Sequence, residues 1–149
     1  MAKNDQVVQE LSRLLADTYT LYLKTHNYHW NVTGPMFNTL HTLFEMEYTE
    51  YALAVDEIAE RIRAVGARAP GSYSEFAELA SVKEDRGAPP AKAMIENLVA
   101  DQIATADSAR RVVKVAEAAG DQASADLGVR RIEIHEKNAW MLRSHLESE

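Results

Sequence analysis

His41, Glu45, Asp56 and Glu60 follow one another along this chain at spacings of four, eleven and four residues. At 100° per residue all four fall within about 100° of arc on a helix, so one face would carry an imidazole and three carboxylates. That donor set suits a hard or borderline metal ion. A rise of about 1.5 Å per residue nevertheless sets His41 and Asp56 roughly 22 Å apart along the axis, far beyond a coordination sphere with bonds of ~2 Å. One chain therefore cannot close a site from these residues. The pairs 41/60 and 45/56 share a midpoint at position 50.5. Two copies of the helix packed antiparallel about a twofold axis near Glu50 and Tyr51 would bring 41 level with 60 of the second copy, and 45 level with 56. Such a dimer would hold two equivalent sites.

A further histidine reaches the same level by a similar argument. In the run from Tyr28 to Pro35 the apolar helical pattern stops at Gly34-Pro35, a cap followed by a breaker, which predicts a tight helix hairpin. His29 and His41 are equidistant from residue 35, so antiparallel packing places them side by side. The predicted ligands are His29 and His41 of one chain with Asp56 and Glu60 of the other, Glu45 lying close. Mixed imidazole and carboxylate donors favour iron, manganese or zinc over calcium or copper(I). His26, three residues before His29, is assigned to packing or to supporting a ligand. His135 and His145 have no symmetric carboxylate partner and read as core or surface residues, and Arg61 reads as a structural ion-pair partner.

The elements that must hold these residues are helical. Val7, Val8, Leu11, Leu14, Leu15, Tyr19 and Tyr22 recur at helical spacing from Asp5 to Val32, with Asn4 or Asp5 as the N-cap. From Phe37, positions 37, 41, 44, 48, 51, 55, 58, 62 and 65 step by four and three, a seam that ends at Gly66. Ser72 and Glu75 have capping-box spacing and open a short helix through Phe76 and Leu79. A polar connector from Ser81 to Ala88 leads to Pro89-Pro90, which starts a third long helix running to Gly120 with Ile95, Leu98, Val99, Gln102, Ile103, Ala106, Val112, Val113 and Ala116 as its stripe. Asp121 caps a fourth, with Leu127, Ile132, Ile134, Trp140 and Leu142 as apolar contacts and Gly128 as a weak point.

Composition narrows the function. With 149 residues, 46% of them hydrophobic, the chain is expected to form a single domain over 1–149 with one core. No cysteine is present, which excludes disulfides, thiolate catalysis and iron–sulfur sites and suits a reducing compartment. The polar start and the lack of a span of ~20 apolar residues predict a cytoplasmic protein without a membrane anchor. A net charge of −7 opposes binding to nucleic acid, which requires a positive surface. Lys3 is the one cation before the helical pattern begins, and the chain closes on Glu147-Ser148-Glu149. No phosphate-binding loop or nucleophile motif appears.

The run His29-Trp30-Asn31-Val32-Thr33-Gly34, then Leu40-His41 and Glu45, then Val55-Asp56-Glu57-Ile58-Ala59-Glu60-Arg61 and Gly66, resembles the two signatures of the Dps family, ferritin-like mini-shells named for DNA binding in starved cells. Glu136-Lys137-Asn138-Ala139-Trp140-Met141-Leu142 is similar to the family's last helix. The resemblance implies an all-α, ferritin-like four-helix bundle, with the short extra helix lying between the second and third long helices and across the dyad. It implies a hollow dodecamer built from dimers, and a dinuclear iron centre at each dyad that oxidises Fe(II), preferably with hydrogen peroxide. His29, His41, Asp56 and Glu60 would then be the catalytic ligands. Trp30 would adjoin an oxidising centre, where an indole can absorb stray radicals as well as pack. Glu117, Asp121 and Asp126 would line an acidic pore that concentrates cations, or else serve as a cap and a solvated face. Compaction of DNA with incidental iron binding is the alternative function, disfavoured by the charge. Ferritin and bacterioferritin proper need Glu-x-x-His within one bundle, and no glutamate here precedes a histidine by three.

Overall fold

The structure, a computed structural model, describes residues 3–147 and within them five helices and no strand. In order these are α1 (Lys3–Asn31), α2 (Phe37–Ala64), the short α3 (Tyr73–Leu79), α4 (Ala91–Ala119) and α5 (Gln122–Arg143). The helices α1 and α2 form one hairpin, α4 and α5 a second, and the hairpins join mainly through α1 against α4, with α3 laid on α1. Ser148, Glu149 and the Lys3 side chain, which figured in the charge reading of the termini, lie outside the described residues.

The local signals explain most boundaries. Five residues, 32–36, turn the first hairpin, and Gly34 sits there at φ +104°, a conformation that side chains with a Cβ rarely adopt. Ser72 caps α3 as expected by accepting from the Glu75 amide, but Glu75 reaches back to the Ser72 hydroxyl (2.7 Å) and the Gly71 amide (3.1 Å). Asp121 caps α5 by accepting from Ser124 N at 3.0 Å. The start of α1 differs from expectation: the helix is already formed at Lys3, so Asn4 and Asp5 lie inside its first turn.

Two apolar clusters make the core. Val7, Leu11, Leu14, Ile58, Ile62, Ala109, Val112 and Leu127 fill one end, and Leu21, Tyr28, Leu40, Phe44, Tyr51, Ile95, Leu98 and Leu142 the end near the first hairpin turn. Burial departs from the predicted seam in an informative way. Leu40, Glu47 and Ala54 are buried, whereas His41, Tyr48 and Val55 are only half-buried. Phe44, Tyr51, Ile58 and Ile62 stay buried as predicted, so the buried face is shifted by a fraction of a turn toward Leu40, Glu47 and Ala54, which leaves His41 nearer the outer edge. Ile103 and Trp140, assigned to the core stripes, are 50% and 60% exposed. Gly128 is a point of close approach rather than a weak one: a Cβ there would lie 2.8 Å from Val113 Cγ2 and 3.1 Å from the Ala109 carbonyl oxygen, so its absence lets α5 pack on α4.

Candidate metal centre

The hairpin brings His29 and His41 together as the shared midpoint predicts. Their rings stack with centroids 3.7 Å apart and planes 13° from parallel. Each ring is fixed by the other residue's backbone: His29 Nδ1 donates to the His41 carbonyl at 2.7 Å, and His41 Nδ1 donates to the His29 carbonyl at 2.7 Å. Because a carbonyl only accepts, Nδ1 carries a proton in both imidazoles, which leaves Nε2 as the nitrogen of each ring available to a metal. His29 is buried and His41 half-buried.

Glu45 is the carboxylate nearest this pair, its Oε1 3.8 Å from His29 Nε2, too far for a hydrogen bond, and its side chain is 60% exposed. Asp56 and Glu60 are exposed and, among the described residues, neither carboxylate has a hydrogen bond or an ion pair. They lie away from the imidazoles. Asp56 lines a groove with Tyr19, Leu53, Tyr73 and Phe76, and Glu60 lines a neighbouring cleft with Arg61, Asp126 and Arg130. No three histidine or carboxylate side chains of the described residues converge as a metal-holding group within one chain. The chain thus presents an imidazole pair at one end of α2 and two unpartnered carboxylates farther along it. These donors fit a metal ion only if a second chain brings the halves together.

The surrounding residues have clear packing roles. His26 stacks against Trp30 (3.9 Å between centroids) and Tyr48 (4.3 Å), and burial and the neighbouring His29 push its pKa down. Trp30 remains 59% exposed. Arg61 pairs with Asp121 at 2.9 Å rather than with the adjacent Glu60. Burial raises the Asp121 pKa, but hydrogen bonds from Ser124 and the Arg61 charge outweigh it and keep the carboxyl below its usual range. Asp121 is thereby committed to a cap and an ion pair. Asp126 accepts from Gln122, and Glu117 is exposed.

Sequence reasoning missed Tyr48, whose ring stands edge-on to His29 at 5.2 Å. Its spacing from Phe44 and Tyr51 disguised it as a core residue.

Two helical hairpins with a short helix between them, a histidine pair joining the first two long helices and carboxylates along the second, define a ferritin-like protein, and residues 8–149 match the family model described as a ferritin-like domain. A protein of Bacillus anthracis named DNA protection during starvation protein 2 is 38% identical over 143 residues, 96% of this chain and 98% of that protein. The crystal structure of a Dps protein from Bacillus brevis superposes with a TM-score of 0.95 at 36% identity, covering 99% of each chain. That of a Dps protein from Vibrio cholerae, described as a member of a broad superfamily of ferritin-like diiron-carboxylate proteins, gives 0.93 at 32% identity over 97% of this chain and 91% of that one. This chain belongs to the Dps family.

Proposed function

We propose that the protein is a ferroxidase and iron-storage protein of the cytoplasm. It oxidises Fe(II), preferably with hydrogen peroxide, at dinuclear sites shared by dyad-related subunits, and holds the ferric mineral inside a dodecameric shell. The observation that carries this reading is the stacked imidazole pair with both Nε2 atoms open, His29 from α1 and His41 from α2, with two carboxylates farther along α2 that lack any partner among the described residues. Completed by Asp56 and Glu60 of a second copy, and with Glu45 beside it, the pair offers nitrogen and oxygen donors of the kind iron takes. Iron is the substrate: two ferrous ions give one electron each to peroxide, two protons are taken up, and two waters form without release of hydroxyl radical. No helix among the described residues is long and apolar enough to cross a membrane.

The test is anomalous scattering from iron-soaked crystals. The expected peaks lie about 2 Å from His29 and His41 Nε2 and from carboxylate oxygens of a second chain. Iron bound by ligands of one chain alone would overturn the shared site.

The name of the Bacillus anthracis relative raises a second reading, protection of DNA by direct binding. With a net charge of −7, the expected result is no retardation of plasmid at ~0.15 M salt, where a purely electrostatic contact fades. Retardation under those conditions would favour the second reading.

A further inference from the structure

Phe37 is the first residue of α2 and the first position of the predicted seam, yet it belongs to neither apolar cluster and is 39% exposed. The core therefore does not account for an aromatic side chain there. Its ring contact is with His41: the centroids are 4.9 Å apart and the planes 22° from parallel. The His29 ring lies 3.7 Å from the same imidazole, and no contact joins the Phe37 and His29 rings among the described residues. His41 is thus the middle layer of a three-ring stack. The chain builds it simply: residues 37 and 41 are one turn apart on one face of α2, and the first hairpin brings His29 from α1.

Two properties of the middle ring call for such a cover. His41 is half-buried, and its bond to the His29 carbonyl fixes one ring nitrogen. A ring hinged on one hydrogen bond can still tilt, and Phe37 closes its outer face. The second property is charge. A metal at Nε2 draws electron density out of the imidazole, and stacking two such rings at 3.7 Å sets two positive faces together. The face of a benzene ring is negative and attracts a positive group placed over it. Phe37 therefore favours the metal-bound form of His41 over the free one.

We propose that Phe37 is a positioning residue of the metal centre: stacked on the outer face of His41, it aims Nε2 at the ion and stabilises the charge the imidazole takes up on coordination. Its consequence for Fe(II) rests on the ferroxidase reading. Phe37 touches neither iron nor peroxide, so it sets the concentration of Fe(II) at which the site fills and leaves the limiting rate to the ligands.

The experiment titrates assembled protein with Co(II), whose visible bands report ligand geometry without turnover, and follows Fe(II) oxidation by peroxide in parallel. Size-exclusion chromatography checks assembly of each variant. Phe37→Tyr keeps the aromatic face and should bind Co(II) as the wild type does. Phe37→Leu keeps the bulk without the face and should bind about 2- to 5-fold more weakly, the range for an exposed contact of this kind. Phe37→Ala loses both and should bind about tenfold more weakly or worse, as when a group that orients a ligand is removed. Its Co(II) bands should shift and its KM for Fe(II) rise, with kcat close to the wild type's. In a His41→Ala background, Phe37→Ala should add no further loss. Wild-type Co(II) affinity in Phe37→Leu or Phe37→Ala, a Phe37→Tyr as weak as Phe37→Ala, or an equal loss with and without His41 would overturn the positioning role. The expected Co(II) series without any Fe(II) oxidation by the wild type would instead overturn the ferroxidase reading and leave Phe37 positioning a ligand of a metal site.

Discussion

The interior of the bundle and the outer face of its first hairpin use polar residues in opposite ways. Between the two apolar clusters lies a belt of buried polar groups that answer one another. Asp17 accepts from the Ser81 amide (2.6 Å), the Ser81 hydroxyl (2.8 Å), the Val82 amide (2.9 Å) and the Ser108 hydroxyl, which clamps the start of the 81–90 connector to α1 and α4. Lys24 pairs with Asp101 at 2.8 Å and donates to the Lys83 carbonyl at 2.8 Å. Arg131 grips Glu50 with two nitrogens and donates to His135, whose Nδ1 donates to Gln102, whose amide donates to Tyr51. Burial, aided by the Arg131 charge, holds His135 well below its usual pKa, so the ring is neutral, as its role as both donor and acceptor demands. On the outer face the opposite holds: two imidazoles are locked with one nitrogen open, and two carboxylates have no partner among the described residues. Satisfied polar groups hold a fold together, whereas a set left unsatisfied on a rigid helix is poised for a ligand.

That contrast predicts a double dissociation: damage to the belt should cost stability, and damage to the face should cost iron. The largest effect is expected from Asp17→Ala. It strands two backbone donors and two hydroxyls, and at about 1 to 3 kcal/mol for each buried group left unmade the loss should be on the order of 4 kcal/mol. Urea unfolding measures it, and a loss below ~1 kcal/mol would show that the clamp is redundant.

Several buried polar atoms depart from that rule, Thr25 Oγ1 and Arg131 Nε among them, and Glu47 departs from it with its whole carboxyl. Both its carboxyl oxygens are buried without a partner, and burial pushes its pKa up to about 8 from an ordinary 4.5. Between those values the folded chain keeps a proton that the unfolded chain has released. Stability is therefore fully present below pH 4.5 and declines as pH rises through 8. At about 1.4 kcal/mol per pH unit the loss is on the order of 5 kcal/mol by pH 9. Glu47→Gln should flatten this dependence, with a melting temperature near the wild type's at pH 5 and clearly above it at pH 9. Parallel melting curves across that range would contradict the protonated state.

On the outer face, Glu60→Gln keeps the size of the side chain but removes its charge, and iron binding should fall more than about 100-fold with the shell still assembled. Glu45→Gln should cost less, about 10- to 100-fold, the range for a residue that supports a ligand without being one. Initial rates of Fe(II) oxidation by peroxide, with assembly checked by size-exclusion chromatography, rank the two. An equal or greater loss for Glu45→Gln would promote it to a direct ligand.

The outer face was more legible in the sequence than the belt. His29 and His41 meet because both are equidistant from a turn that Gly34-Pro35 announces, and the helix bounds followed from Ser72, Asp121 and Gly120. The belt left no such signature. Glu47 is an acidic residue, so no apolar period could place it in the core, and the partial shift of the buried face toward Leu40, Glu47 and Ala54 is set by packing of α2 on α1. Gly128 looked like a helix breaker because its reason lies on another helix, at Val113 and Ala109. The pairing of Arg61 with Asp121 across 60 residues was equally invisible.

The central claim is that neither half of the centre works without the other chain's half, and complementation tests it most directly. A subunit with His29→Ala and His41→Ala and a subunit with Asp56→Ala and Glu60→Ala should each oxidise little iron alone. Co-expressed, they form mixed dimers in which one of the two sites regains all four ligands, so Fe(II) oxidation should recover to a clear fraction of the wild-type rate. Mixed assemblies no more active than either parent would contradict the shared centre.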